Sequence, residues 1–166
     1  MSEMNEVASA SFFLRDEAST LAFGRALAPF LAPGTVVWLR GNLGAGKTTL
    51  ARAILRALGI TGAVKSPTYT LVEVYVVSSL YLYHLDLYRF NAPEEFEDAG
   101  LGEYFRKDAV CLVEWPEKAA GYLPSADVEL FLRFAGESRE AQLSVRGERG
   151  RECLGALKAF KSTAAS

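Results

Sequence analysis

The chain has 166 residues, of which 50% are hydrophobic and 23% are charged, and its formal net charge is −2. This composition is typical of a globular protein, and the small negative charge gives no support for binding of nucleic acid through an overall basic excess, while it leaves local basic clusters open. No apolar run approaches the length of a membrane-spanning helix, so none is predicted. We expect one domain over residues 1–166, with flexible ends at 1–10 and 162–166.

The termini and the cysteines indicate the compartment. Glu3 and Glu6 precede any apolar run, so the sequence predicts no secretion signal. Cys111 lies in an apolar run and is expected to be a buried thiol, while Cys153 is expected in a helix rather than in a disulfide. Unpaired thiols are typical of a reducing compartment, so we expect a cytoplasmic protein.

Two elements are predicted before the first motif. Ser11–Leu14 is a short apolar segment that favours an edge strand. Asp16 is a candidate N-cap, because apolar residues recur at helical spacing after it. Pro33 and Gly34 then end the predicted helix.

Residues 41–49 contain the main motif of the chain. Gly41–Thr48 fits G-x-x-x-x-G-K-[ST] and lies between a predicted strand at Thr35–Leu39 and a predicted helix at Leu50–Leu58. A glycine-rich turn without a ligand is the alternative, which these flanking elements disfavour. Lys47 is expected to reach the β- and γ-phosphates of a nucleotide, and the Thr48 hydroxyl to bind Mg²⁺. The predicted phosphate-binding residues are Gly41, Leu43, Gly44, Ala45, Gly46, Lys47, Thr48 and Thr49.

A polar segment with a proline follows the helix. It consists of Ser66, Pro67, Thr68 and Tyr69. The segment is either an ordinary turn before a strand or a mobile switch loop that meets the γ-phosphate. Both interpretations stay open at this point.

The next two segments predict a hairpin. Residues 70–77 are rich in β-branched side chains, residues 80–88 are rich in aromatic side chains and leucine, and Ser78-Ser79 separates them. His84, Asp86 and Tyr88 alternate, so they share one face of an extended chain. His84 is either a buried structural residue or a nucleotide-facing one.

A second carboxylate follows a buried strand. Residues 93–98 predict a helix with Pro93 at its first position, and 103–105 predict a short helical turn. Apolar residues 109–113 then precede Glu114, the position of the Walker-B carboxylate that holds Mg²⁺ in phosphate-loop proteins. Aspartate is usual there, so Glu114 is a departure. We expect Pro116 to end the strand, a short helix at 117–120, and Trp115 in the core rather than as a lid.

The C-terminal third predicts a second hairpin and a helix. Residues 126–135 and 141–146 alternate around a turn at 136–139 and are expected at the edge of the sheet. A turn at 147–150 and a helix at 151–161 follow. The basic residues of this end form either a solvated face or a contact with RNA or an acidic partner. They are Arg146, Arg149, Arg151, Lys158 and Lys161.

Four blocks, in this order and spacing, resemble the TsaE family, which is also called YjeE. They are Gly41–Thr48, Ser66–Thr70, His84–Arg89 and Glu114–Glu117. The resemblance covers roughly residues 11–150. It implies a P-loop NTPase fold, an α/β three-layer sandwich whose central, mostly parallel sheet carries antiparallel hairpin strands.

The same resemblance implies a function. The family uses ATP and Mg²⁺ as cofactors in the threonylcarbamoyladenosine modification of adenosine 37, in tRNAs that read codons beginning with A. It implies TsaD and TsaB as partners, a weak ATPase activity without transfer of the threonylcarbamoyl group, indirect or weak contact with tRNA, and no membrane or DNA partner.

The resemblance also implies roles for individual residues. Thr48 and Glu114 would hold Mg²⁺, and Lys47, Asp86 and Glu114 would be catalytic. Asp86 would either act on the attacking water or support the metal, and this choice stays open. Switch segments are implied at Ser66, Pro67, Thr68 and Tyr69, and at His84, Asp86, Tyr88 and Arg89. Apart from the resemblance, the residues show no strong arginine finger, and Arg89 is a candidate.

Other functions use the same phosphate loop. A small-molecule kinase would need a substrate-binding insertion and an arginine-rich lid, and the segment at 93–105 is short and acidic. A GTPase would need an Asn-Lys-x-Asp motif, which the sequence lacks. A nucleotide-controlled binding module with negligible turnover overlaps with the main interpretation.

Overall fold

The computed structural model describes residues 7–160, which form a seven-stranded sheet with helices on both faces. The strands are β1 (Val7–Leu14), β2 (Val36–Gly41), β3 (Val72–Val77), β4 (Leu80–Asp86), β5 (Ala109–Glu114), β6 (Val128–Ala135) and β7 (Ser138–Arg146). The α-helices are α1 (Glu17–Leu27), α2 (Lys47–Ala57), α3 (Glu95–Asp98) and α4 (Gly147–Ala156). Short 3₁₀ helices cover Ala28–Phe30, Leu101–Tyr104, Pro116–Ala119 and Lys158–Phe160. No helix within this span is long and apolar enough to cross a membrane.

The strand order is β1-β7-β6-β2-β5-β4-β3. The four central strands β6, β2, β5 and β4 run parallel, whereas β1, β7 and β3 join by antiparallel pairing. The predicted central, mostly parallel sheet with antiparallel hairpin strands is therefore confirmed. Because parallel strands end at the same edge, β2, β4 and β5 deliver their C-terminal residues to one place.

The sheet separates two apolar cores. The larger core lies under α1, α2 and α4 and includes Phe12, Phe23, Leu39, Leu50, Ile54, Leu112 and Leu143. The smaller core lies under α3 and the 3₁₀ helices at Leu101–Tyr104 and Pro116–Ala119, and it includes Tyr83, Phe90, Phe96, Leu101, Cys111 and Val113. β5 alternates between the two, so all of its residues are buried. The result is the predicted three-layer α/β sandwich.

The N-terminal edge strand and helix are present as predicted, but β1 begins before Ser11 and α1 ends at Leu27, before Pro33 and Gly34. Asp16 caps α1, since its Oδ1 accepts a hydrogen bond from the Ser19 amide at 2.8 Å. This bond lowers the pKa of Asp16. β1 begins at Val7, so the flexible segment expected at 1–10 is wrong for residues 7–10, which pair with β7. Residues 1–6 and the expected flexible tail at 162–166 lie outside the described part of the chain.

The C-terminal hairpin does not lie at the edge of the sheet, as the sequence had suggested. β6 pairs with β2, and β7 pairs with β1 over the whole length of β1. β1 and β3 are therefore the edge strands. Alternation along a hairpin reveals that it has a buried face, but it does not reveal which distant strand pairs with its outer side.

The predicted turn at 147–150 is also wrong, because α4 begins at Gly147. Gly150 serves close packing: a Cβ there would lie 2.7 Å from Cγ2 of Val145. Cys153 lies in this helix, and both thiols are buried and free, as expected. The helix ends at Ala156, earlier than predicted, and Lys161 lies outside the described range. Arg149 donates to the carbonyl groups of Pro29 and Phe30, so it anchors local backbone.

Other boundaries shift by two or three residues. α3 begins at Glu95 instead of Pro93, because the Glu95 carboxylate accepts the amides of Asn91 and Ala92 just before it. β3 begins at Val72, because Leu71 has a left-handed φ of 68° that interrupts the extended chain. The short helical segments expected at 103–105 and 117–120 are 3₁₀ helices that begin at Leu101 and Pro116.

Helices α1 and α2 pack most closely at Gly24 and Ala53. A Cβ on Gly24 would lie 2.6 Å from the Cβ of Ala53, which is closer than two carbon atoms can approach without displacement. Both positions are buried, and their neighbours in sequence, Phe23 and Ile54, belong to the larger core. The absence of a side chain at Gly24 therefore sets the distance between the two helices.

Gly24→Ala is expected to destabilise the protein. The added methyl group forces the helices apart at a cost of about 1–3 kcal/mol, against about 1 kcal/mol gained from helix propensity. Ala53→Gly removes the opposing methyl group, so the double variant should be more stable than the sum of the single effects. Urea denaturation of the four proteins measures this coupling, and additive effects would contradict the proposed helix contact.

Candidate functional site

The segment between β2 and α2 forms the floor of the site. β2 ends at Gly41, and Gly46 precedes α2 with a left-handed φ of 103° that glycine adopts readily. A Cβ on Gly41 would lie 2.5 Å from the carbonyl oxygen of Leu132, so the chain passes tightly beside β6. This backbone wraps around the N-terminus of α2, the arrangement that attracts phosphate groups.

The first residue of α2 carries a buried cation. Lys47 is 5% exposed, and its Nζ donates to the Gly41 carbonyl at 2.5 Å. The same Nζ lies 3.4 Å from the centroid of the Trp115 ring. Burial lowers the pKa of Lys47, while the carboxylates of Glu114, Glu117 and Asp86 oppose this shift.

Two carboxylates face this cation from the ends of neighbouring strands. Asp86 ends β4, Glu114 ends β5, and the two are direct partners in the parallel register. The Thr48 hydroxyl donates to Oε1 of Glu114 at 3.3 Å. Burial raises the pKa of Asp86, and the nearby charge of Glu114 adds to the shift, whereas the Tyr88 amide, which donates to Asp86, lowers it.

His84 is buried behind these groups. It is 1% exposed, and its Nε2 lies 2.6 Å from Oε2 of Glu114. The sequence left a structural and a nucleotide-facing interpretation open. The structure places the ring against a carboxylate of the site and away from the open cleft.

A cleft of about 300 Å³ opens in front of these residues. Its lining consists of Leu43, Gly44, Gly46, Lys47, Thr48, Thr49, Thr68, Asp86, Tyr88, Glu114 and Trp115. Four residues that the sequence singled out for chemistry thus converge here: Lys47, Thr48, Asp86 and Glu114. Of the other predicted phosphate-binding residues, Gly41 and Ala45 are buried and do not line the cleft, and Ala45 is part of the larger core.

The two predicted switch segments contribute unequally. Thr68 lines the cleft and its hydroxyl lies 2.7 Å from that of Ser66, whereas Tyr69 is 82% exposed. The Arg89 guanidinium lies over the Tyr69 ring, 4.4 Å from its centroid. Neither Tyr69 nor Arg89 lines the cleft, so Arg89, the candidate arginine finger, does not lie at the phosphate loop.

Trp115 occupies a boundary position. It packs against the smaller core, as expected, but its ring also lines the cleft and lies 5.0 Å from the Tyr88 ring. Its backbone has a left-handed φ of 58°, which is uncommon for a bulky residue. The expectation of a core position is therefore only half correct, because the ring also covers Lys47.

A second cleft, of about 160 Å³, lies on the other side of the loop. It shares Gly44, Gly46 and Thr49 with the first cleft and is completed by Leu14, Asp16, Glu17, Thr20, Glu137 and Arg139. Arg139 lies over the Phe134 ring and donates to the Gly44 carbonyl at 3.3 Å. Contact of the N-terminal stretch with a nucleotide base is an alternative that no local pattern supports, because this wall combines the end of β1 and the start of α1 with a hairpin far along the chain.

Comparisons with known proteins agree with this architecture. The family model described as Threonylcarbamoyl adenosine biosynthesis protein TsaE matches residues 14–142. The tRNA threonylcarbamoyladenosine biosynthesis protein TsaE of Haemophilus influenzae is 42% identical over 150 residues, which cover 87% of this chain and 95% of that protein. The protein of the same name from Bacillus subtilis is 42% identical over 131 residues, which cover 78% and 82%.

A solved structure supports the fold as well. The crystal structure of Bacillus subtilis YdiB is similar with a TM-score of 0.76 and 33% sequence identity, over 93% of this chain and 97% of that one. The predicted P-loop NTPase fold is confirmed by this likeness and by the sheet described above. The chain therefore belongs to the TsaE family of threonylcarbamoyl adenosine biosynthesis proteins.

Proposed function

We propose that this protein is a Mg²⁺-dependent, weak ATPase of tRNA threonylcarbamoyladenosine biosynthesis. It acts with TsaD and TsaB in the cytoplasm, on the modification of adenosine 37 in tRNAs that read codons beginning with A, and it does not itself transfer the threonylcarbamoyl group. The observation that carries the proposal is the buried Lys47, which faces Asp86 and Glu114 across the cleft. The relatives named above supply the pathway.

The two clefts suggest how ATP lies on the protein. Both include Gly44, Gly46 and Thr49, so a polyphosphate that follows the loop passes from one cleft to the other. The cleft with the carboxylates suits the γ-phosphate end. The cleft beside Arg139 and Asp16 then receives the nucleoside, with polar groups on both walls.

The residues of the first cleft fit a magnesium ion that arrives with the nucleotide. Thr48 and Glu114 present oxygen atoms to the same space, 3.3 Å apart, and Mg²⁺ prefers oxygen ligands. No group of three or more His, Cys, Asp or Glu side chains within residues 7–160 forms a metal site by itself. Mg²⁺ commonly takes one or two protein ligands and completes its shell with phosphate oxygens and water.

The protein contributes position and charge to the hydrolysis. Lys47 and the amides at the start of α2 stabilise negative charge on the phosphates, and Asp86 orients or deprotonates the attacking water. Bound magnesium neutralises further phosphate charge. Because no arginine of the predicted switch segments lines the cleft, the isolated protein is expected to hydrolyse ATP slowly.

Lys47→Ala should abolish ATP binding and hydrolysis, because it removes the buried cation from the loop. Lys107→Ala, at an exposed lysine away from the cleft, is the matched control and should keep both. Binding of a fluorescent ATP analogue and release of phosphate measure the two properties. Full ATPase activity in the Lys47→Ala variant would refute the assignment of the site.

Asp86→Asn should make the protein more stable and less active. The raised pKa of Asp86 means that its ionised form is disfavoured in the folded state, so neutral asparagine relieves this cost. The gain in stability should be present at neutral pH. It should vanish as the pH falls through the raised pKa to below the ordinary value of aspartate, because Asp86 is then protonated in both the folded and the unfolded protein. Urea denaturation at several pH values tests this, and a loss of stability at neutral pH would contradict it.

Reconstitution tests the place in the pathway. Repeated rounds of tRNA modification by TsaD and TsaB, supplied with threonylcarbamoyl-adenylate, should require both this protein and ATP. A non-hydrolysable ATP analogue should support assembly without repeated rounds. If the analogue supports full turnover, the protein is a nucleotide-controlled binding module, and phosphorylation of an added metabolite would indicate a kinase.

A further inference from the structure

We propose that His84 is a positioning residue, which holds the Glu114 carboxylate so that one oxygen faces Thr48 and the magnesium site. The inference rests on the proposed function and assigns a task to a side chain that does not reach the nucleotide cleft. It concerns how the metal-binding carboxylate is oriented.

The first argument is the geometry of the pair. His84 Nε2 lies 2.6 Å from Oε2 of Glu114, and the two side chains are 1% and 3% exposed. The other oxygen of the same carboxylate, Oε1, accepts from the Thr48 hydroxyl at 3.3 Å. Each oxygen therefore has its own partner, and the one beside the cleft is held on the side of the phosphate loop.

The second argument is the length of the side chain. Glutamate has one more rotatable bond than aspartate, the usual residue at this place in phosphate-loop proteins, so it loses more freedom when it is fixed. His84 lies on β4 opposite Leu112, two residues before the position that faces Glu114. A buried imidazole there reaches the carboxylate from behind and restrains the longer side chain.

The third argument is that the ring makes no other hydrogen bond within the described residues. Its Nδ1 is buried and has no partner among residues 7–160. An apolar side chain would fill the same space without this cost, since an unpaired buried polar atom is unfavourable. The polar character of His84 is thus directed at Glu114 alone.

The test compares two amides of similar size. His84→Gln places its amide nitrogen near the position of Nε2 and keeps a donor for Glu114. His84→Asn places its amide nitrogen near the position of Nδ1, where it does not reach the Glu114 carboxylate. Binding of ADP is measured in EDTA, and binding of Mn²⁺ to the protein–ADP complex is measured by electron paramagnetic resonance, so no step depends on hydrolysis.

His84→Asn should weaken Mn²⁺ binding about 10–100-fold, the usual effect of losing a partner of a metal ligand, whereas His84→Gln should stay close to the natural protein. Both variants should bind ADP in EDTA as the natural protein does. A purely structural role would instead lower thermal stability and leave the Mn²⁺ affinity of the folded fraction unchanged. If His84→Asn does not fold, His84→Leu, which also lacks a donor, takes its place with the same expectation.

Equal Mn²⁺ affinities in all folded variants, or equal losses in the Gln and Asn variants, would overturn the positioning role. These outcomes leave the proposed function intact, because the natural protein still binds ADP and metal. Failure of the natural protein to bind ADP at all would instead overturn both proposals, and it is seen in the first measurement.

Discussion

The burial of one ammonium group is the constraint on which the site depends. Lys47 is tolerated inside the protein because its ammonium group donates a hydrogen bond to the Gly41 carbonyl and the Trp115 ring covers it. These partners belong to the end of β2 and to the residue that follows β5. The cation is therefore stabilised only when the loop, the helix and the neighbouring strand are all in place, so the site forms as one unit with the sheet.

Burial also affects Asp86, the carboxylate that faces Lys47. It raises the pKa of Asp86 and lowers that of Lys47, so both groups are pushed toward their neutral forms. A ligand that carries both positive and negative charge stabilises the charged forms of Lys47 and Asp86, which burial alone disfavours. In the proposed function, phosphate oxygens would pair with Lys47 and magnesium with the carboxylates, so the ligand would offset the cost of burying these charges.

Local sequence patterns predicted most of the fold and the residues that line the cleft around Lys47. The glycine motif predicted the strand, the loop and the helix around Lys47, and an apolar run followed by an acid predicted Glu114 at a strand end. The features that the sequence did not predict are contacts between segments far apart in the chain. No local pattern could show that β1 pairs with β7 and displaces the hairpin from the edge, or that Arg139 reaches Gly44. The contact of His84 with Glu114 depends in the same way on strand register, which only the assembled sheet defines.

The missing side chain at Gly24 has a consequence beyond the packing of two helices. α1 carries Asp16 and Glu17 at its N-terminal end, and these residues form a wall of the second cleft, opposite the loop that starts α2. The close approach of α1 to α2 at Gly24, about two helical turns from Asp16, therefore influences the width of the second cleft, where the nucleoside would lie. In the proposed function, a substitution at Gly24 would alter the width of the second cleft without changing any residue that lines it.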